Sequence, residues 1–257
     1  MDAVYVYKHS ANDDFEIRYS LRSVDKYVPY IRKIWIYGDK PPFISDDTSI
    51  IEHVPHEATA RVLGVKTPVV NFFLQMFLSS LIPDLSSEYL FFSDDFYLLK
   101  DYPPEEARKD RYSEDLTKTP RGKGMWIDAL WRTYDLLIRL GYRGYNYETH
   151  TPMYLTRKRM MDAYCDLKDF ITEDRWYGLL GPTSVLNHAL RNEKVQPVNI
   201  IHENSRAGFW GKPPSYEDVI AQTEGKMFFN FDDPAFGDSI RRFLTERFPD
   251  RSRYEKE

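Results

Sequence analysis

The chain has 257 residues, 42% hydrophobic and 16% aromatic, enough for one large α/β domain or two small ones with a sizeable core. A net charge of −5 argues against holding a polyanion through the bulk field of the protein and leaves only a local basic groove open. Cys165 is the single cysteine, which excludes an intrachain disulfide. No basic segment followed by an apolar run opens the chain, and no stretch reaches the roughly 18 apolar residues of a membrane span, so a soluble intracellular protein without a membrane partner is expected.

Asp2–Tyr7 reads as a first strand, followed by a polar loop over 8–14. Ile17, Leu21, Val24 and Tyr27 then recur at helical spacing, which predicts a helix over 16–27 ended by Pro29. Arg18 and Arg22 share one face of that helix. Two guanidinium forks so placed suit a diphosphate or carboxylate, or form a solvated face paired with Glu16 and Asp25. A second strand covers Ile31 and 34–37 and closes at Gly38-Asp39 and Pro41-Pro42; Ile50, Ile51 and Val54 suggest a third. Strand, helix, strand with short joints is a βαβ unit and predicts a parallel sheet. Residues 67–81 read as a helix, with Thr67 as cap and Pro68 at its first position.

The stretch over 88–99 carries the strongest chemical signal. Tyr89, Leu90, Phe91 and Phe92 form an unbroken apolar run that reads as a buried strand and ends in Asp94-Asp95. Two carboxylates there are costly unless a cation or hydrogen bonds offset them, and the carboxyl ends of strands are where open α/β sheets bind ligands. The pair therefore holds a divalent metal, or one Asp caps the next element and the other is solvated. Adjacent strand residues point to opposite faces, so only one would be the direct ligand. Asp95, further past the strand, fits that role.

Residues 103–124 are charged and proline-punctuated and read as a mobile loop. Arg108, Lys109, Arg111, Lys118, Arg121 and Lys123 there either form a groove for DNA or are ordinary solvated charges. A helix follows over 126–140, ended by Gly141. His150-Thr151-Pro152-Met153 is extended, and His150 can be a base, a nucleophile, a metal ligand or a satisfied buried histidine. A helix is expected over 157–166. Glu173-Asp174 offers a base or a helix cap. Then come a helix over 183–190, a last strand over 195–201 with His202 at its carboxyl end, an amphipathic helix over 239–248 and a charged tail over 249–257. One domain over 1–248 is expected.

Together these pieces resemble a known family. Residues 16–23 (Glu-Ile-Arg-Tyr-Ser-Leu-Arg-Ser), 31–36 and 91–96 resemble the first two conserved regions of the Stealth family, the sugar-1-phosphate transferases of capsule synthesis and lysosomal-enzyme tagging. His150-Thr151-Pro152-Met153 resembles its third region and Phe229-Asn230-Phe231-Asp232-Asp233 its fourth. The same pattern, with an ending like Arg242-Phe243-Leu244-Thr245-Glu246-Arg247-Phe248-Pro249, resembles short glycosyltransferase-like proteins of bacteriophages. One departure is Tyr7-Lys8-His9-Ser10, where Stealth proteins carry Trp-Val-Asn/Asp-Gly. The resemblance implies a single GT-A-like, Rossmann-related α/β domain with a mostly parallel central sheet flanked by helices, in the cytoplasm (the host's, for a phage protein). It implies a nucleotide-sugar donor, a UDP-sugar first, and Mn²⁺ or Mg²⁺. Arg18, Arg22, Asp39 and Asp94 would meet the donor. Asp95 and His202 would hold the metal, and His150, Glu173 or Asp174 would act as base. The expected reaction is sugar transfer to a hydroxyl of a protein, a saccharide or a hydroxymethylated DNA base. Hexose-1-phosphate transfer and non-catalytic nucleotide-sugar binding are the alternatives.

Overall fold

The computed structural model describes residues 1–256. Strand β1 (Asp2–Tyr7) is buried on both faces and leads to helix α1 (Phe15–Tyr27), then β2 (Ile34–Gly38) and β3 (Ile51–Val54). Helix α2 (Phe72–Ser79), β4 (Glu88–Ser93), β5 (Tyr97–Leu98) and α3 (Met125–Arg139) follow. Next are β6 (Met153–Thr156), α4 (Arg157–Leu167) and α5 (Gly181–Asn192). The chain continues through β7 (Arg206–Phe209), α6 (Tyr216–Thr223), β8 (Phe228–Phe231) and α7 (Asp238–Arg247).

The central sheet runs β3-β2-β1-β4-β6, parallel except for β6, which pairs antiparallel with β4. Side-chain alternation along β1 divides two cores. Val4 and Val6 join Phe73, Phe77 and Met160 under one face, where α2 and α4 pack. Ala3, Tyr5 and Tyr7 join Ile17, Leu21 and Val24 of α1 on the other. Burial on both faces explains why β1, β2 and β4 read as continuous apolar runs. A smaller sheet, β7-β8-β5, carries a third core of Tyr97, Phe229, Phe231 and Phe243 beneath α6 and α7. This is the single α/β fold with a mostly parallel sheet that the sequence predicts.

Chain order reverses between β1 and β4, so the crevice outside their carboxyl ends is the topological switch point where such sheets bind ligands. Gly38 lets β1 and β2 close tightly there. It sits at φ +125°, and a Cβ would lie 2.1 Å from the Tyr7 carbonyl oxygen.

Four expectations change. The helix predicted from Thr67 starts at Phe72, because the Asn71 side chain accepts from the Leu74 amide at 3.0 Å and caps it there. Much of 103–124 is woven into the fold rather than mobile. Arg111–Tyr112 pairs with Val198–Asn199, Glu114–Asp115 pairs with Tyr145–Asn146, and Asp110 and Arg111 are buried. The strand predicted over 195–201 is only Val198–Asn199, after which Asn199 caps a short helix, Ile200–Glu203. The tail also docks: Ser252, Tyr254 and Glu255 are buried, and the Ser45 amide donates to the Tyr254 carbonyl at 2.7 Å. Among the described residues no helix is long and apolar enough to cross a membrane.

Candidate active site

A cavity of about 400 Å³ opens at the switch point, a size suited to a small-molecule ligand. Ser10 comes from the β1–α1 connection, Glu16 from the first turn of α1, Asp94 and Asp95 from the end of β4, His150 from the turn before β6, and Asp232 and Asp233 from the end of β8. The expected pair is therefore two of the five carboxylates that line the cavity. Two strands of different sheets each run into an Asp-Asp step at the same cavity.

The four Asp side chains have different tasks. Asp232 accepts from the Gly211 and Ala235 amides at 3.0 Å, which makes it a turn clamp. Asp94 and Asp95 pair with no cation among the described residues. Desolvation raises the Asp94 carboxyl to about 7, helped by the charges of Glu16 and Asp233. Desolvation, then the charge of Asp94, raises Asp95 well above the carboxylate range. Glu16 accepts from the Ser10 hydroxyl at 2.7 Å. An oxygen-only cluster with excess negative charge and no protein countercharge fits a hard divalent cation. Among the described residues no three His, Cys, Asp or Glu side chains form a ready-made metal cage.

His150 occupies a strained turn. Its φ is +53°, the left-handed region that costs an ordinary residue of order 1 kcal/mol. The surroundings fix that conformation: Arg206 Nη1 donates to the Thr149 carbonyl at 2.7 Å, and the Thr149 and Thr151 hydroxyls bond at 2.8 Å. The imidazole lies between Phe96 and Trp210, with ring centroids 6.4 and 5.0 Å away. Burial, then the Arg206 charge, lowers it to about 4, so it is neutral at pH 7. The positive φ and the cavity-facing position single out His150; a pKa lowered this far keeps the ring unprotonated and makes it a weaker base than an ordinary imidazole.

Just upstream, Glu148 caps the amino end of α5. Its Oε1 accepts from the Thr183 amide at 3.1 Å and the Thr183 hydroxyl at 3.0 Å. Desolvation raises this carboxyl from 4.5 to about 7. The folded state thus binds the proton more tightly than the unfolded chain, and this group's contribution to stability falls as pH rises from about 4.5 through 7. Gln keeps the accepting oxygen and never ionises. Glu148→Gln is therefore expected to match the wild-type melting temperature at pH 5 and exceed it by about 2–4 °C at pH 8, the shift for ~1 kcal/mol in a chain of this size. Melting curves at the two pH values check this.

The structure brings only Asp94, Asp95 and His150 of the expected residues into the cavity. Arg18 and Arg22 are engaged elsewhere. Arg22 grips the tail's Glu255 through Nε at 2.8 Å and Nη2 at 2.9 Å, and Arg18 reaches the same carboxylate at 3.4 Å while stacking on Phe43. Asp39 lies at the carboxyl end of β2 and accepts the His9 amide at 2.9 Å. Glu173 lines a separate cavity with Val65, Lys66 and Leu74, and Asp174 caps the Trp176 and Tyr177 amides. His202 is exposed on the short helix that replaces the expected strand, which carries it outside the cavity lining. Asp233, Glu16 and Arg206 were not among the expected site residues, although Asp233 stood in the fourth-region motif and Glu16 was named as a partner of the arginines. Only Asp233 had a local signal, the same apolar run into Asp-Asp that exposes Asp94.

Comparison with known proteins follows this geometry. Residues 10–115 match the Stealth protein CR2 family, conserved region 2. That Stealth region is under half of the chain; it contains α1, β4 and Asp94-Asp95, but not His150, Arg206 or Asp233. The chain is also 28% identical over 100 residues to the human N-acetylglucosamine-1-phosphotransferase subunits alpha/beta. The match covers 37% of this chain and 8% of the human protein's length. Among solved structures, galactosyltransferase LgtC in complex with donor and acceptor sugar analogs superposes with a TM-score of 0.51 at 13% identity, covering 97% of this chain and 95% of that one. This likeness shows the fold alone, the GT-A-like α/β architecture expected from sequence.

Proposed function

We propose that the protein is a metal-assisted transferase that takes a nucleotide-sugar donor, a UDP-sugar first, and moves the sugar to an acceptor hydroxyl. The observation that carries this reading is the acidic cavity at the switch point, where a neutral histidine faces an unpaired aspartate pair. Asp95 and Asp94 are the residues to hold Mn²⁺ or Mg²⁺. The cation, when bound, supplies a Lewis acid for the charge developing on the departing nucleotide. Asp39, at the carboxyl end of β2, is the residue assigned to the nucleoside. His150 takes the proton from the acceptor hydroxyl as the new bond forms.

Hexose-1-phosphate transfer is the second reading, and Arg206 favours it. Its guanidinium is largely buried with no carboxylate partner among the described residues, so burial alone lowers its pKa. An unneutralised buried cation beside His150 suits phosphoryl oxygens. The 28% match to a phosphotransferase points the same way. A DNA acceptor is not supported. Five of the six basic residues expected to form a groove are ion-paired, Arg108 with Glu88, Lys109 with Glu106, Arg111 with Glu106 and Glu203, Lys118 with Asp115 and Arg121 with Asp135, which offsets most of its charge; Lys123 has no such pair among the described residues.

Incubation with a panel of nucleotide sugars and Mn²⁺ tests the proposal. Release of a nucleoside diphosphate supports glycosyl transfer, and a nucleoside monophosphate supports the second reading. Donor binding without turnover shows a binding protein instead. The role of His150 has its own test. Asn tolerates positive φ, so His150→Asn keeps the turn while removing the base. Turnover is expected to drop at least 100-fold at an unchanged melting temperature. Wild-type turnover in that variant removes His150 from the reaction.

A further inference from the structure

Trp210 is a large aromatic side chain left 46% exposed, in contact with His150 of the acidic cavity. Its position is built rather than incidental. It follows β7, whose carboxyl end lies beside that of β8 because the two strands run parallel. The next residue, Gly211, turns at φ +77°, and its amide is clamped by both carboxylate oxygens of Asp232 at 3.0 Å. Gly208 gives the indole room to lie down, since a Cβ there would meet Trp210 at 3.1 Å. The ring rests on His150, centroids 5.0 Å apart, with the Arg206 guanidinium 5.9 Å from it. A glycine and a clamping aspartate thus hold an apolar plate against His150, the residue proposed as base.

We propose that Trp210 is the platform on which the acceptor stacks, and that the acceptor is a saccharide. The inference rests on the transferase reading and names its second substrate. An exposed indole presents a flat apolar face with a polar edge, which matches a pyranose: C–H groups on one face, hydroxyls at the rim. Stacking there sets a sugar hydroxyl beside the imidazole. The charge around the cavity selects the same class. Glu16, Asp94, Asp95 and Asp233 line the cavity, so a nucleic acid would bring its phosphates to an acidic wall, whereas a neutral hydroxylated ring meets no repulsion.

Saturation-transfer NMR tests this on the full chain with UDP and Mn²⁺ present, using lactose, maltose and chitobiose as probes beside a serine-containing peptide and a short oligodeoxythymidylate. At least one saccharide is expected to bind, about tenfold more weakly to Trp210→Ala and within about threefold of wild type to Trp210→Tyr, which keeps an aromatic face. Trp210 is half exposed, so both variants are expected to melt as wild type does. The inference is overturned if no saccharide binds while UDP does, if Trp210→Ala binds saccharide normally, or if the peptide or oligonucleotide binds in their place. Failure of the wild type to bind UDP overturns the transferase reading instead, so the two failures are distinguishable.

Discussion

Replacing Glu255 with alanine is expected to lower the melting temperature by about 6–12 °C, a larger loss than at other charged positions of the last ten residues. The Glu255 side chain is 2% exposed, and Arg22, which grips it with two nitrogens, is 11% exposed. Its carboxyl is held below the usual glutamate range: burial opposes this, and the Arg22 and Ser252 hydrogen bonds outweigh the burial. Breaking such a pair leaves an uncompensated buried guanidinium, worth about 3 kcal/mol, and each kcal/mol moves a chain of this size by about 2–4 °C. Arg22→Ala strands the carboxylate instead and also removes the bond from Arg22 Nη1 to the Phe248 carbonyl at 3.0 Å, so it is expected to cost as much. Arg18→Ala is expected to be milder, because that side chain is 33% exposed and its contact is long. Thermal melts separate this from a substrate-binding role. Below its melting temperature Arg22→Ala is expected to bind UDP and Mn²⁺ as wild type does, and a folded variant that loses UDP binding would return the arginine pair to the donor.

That arginine pair shows where sequence reading stops. Spacing on α1 correctly places Arg18 and Arg22 on one face, and their chemistry correctly predicts a carboxylate or phosphate partner. The partner itself lies 233 residues further along the chain, and no local pattern announces it. Strands β1, β2 and β4 were legible because burial on both faces writes an unbroken apolar run. Strand β7 (Arg-Ala-Gly-Phe) carries no apolar run or clear alternation, and β8 was noticed only as a motif. Asp94 and Asp95 were legible because carboxylates that end a buried strand demand a reason. Asp233 obeys the same rule and was readable by it. Arg206 and Trp210 were not: each is brought to the cavity only through a neighbour, His150, that lies more than fifty residues away in sequence. Glu173, Asp174 and His202 looked alike on paper to the residues that entered the cavity, and only loop geometry sent them elsewhere.

Asp95→Asn is expected to abolish metal-stimulated turnover, by at least 100-fold, while making the metal-free protein more stable. Both effects have one origin. Asp95 stands in a cluster with Asp94, Asp233 and Glu16, and burial together with the Asp94 charge pushes its carboxyl well above the usual range. A raised carboxyl means that the folded state prefers the protonated form. At pH 7 and above, the ionised group therefore opposes folding, and the opposition fades as pH falls. Asn keeps the shape and removes the charge, so the melting temperature without metal is expected to rise by a few degrees at pH 8 and by less at pH 5. The same charge is what a divalent cation needs, and a 100-fold loss is only about 2.7 kcal/mol of transition-state stabilisation, well within what a Lewis acid supplies. Adding Mn²⁺ with UDP is expected to raise the wild-type melting temperature and leave that of Asp95→Asn nearly unchanged, a readout that needs no turnover. Asp94→Asn is expected to lose less of the Mn²⁺ response and to change sugar choice more, since Asp95 lies further past the strand end. Full activity of the wild type in EDTA, or an Asp95→Asn variant that Mn²⁺ with UDP stabilises normally, would show that the aspartate pair offsets its charge in some other way. A function without a cation would then have to be sought for the most acidic corner of the fold.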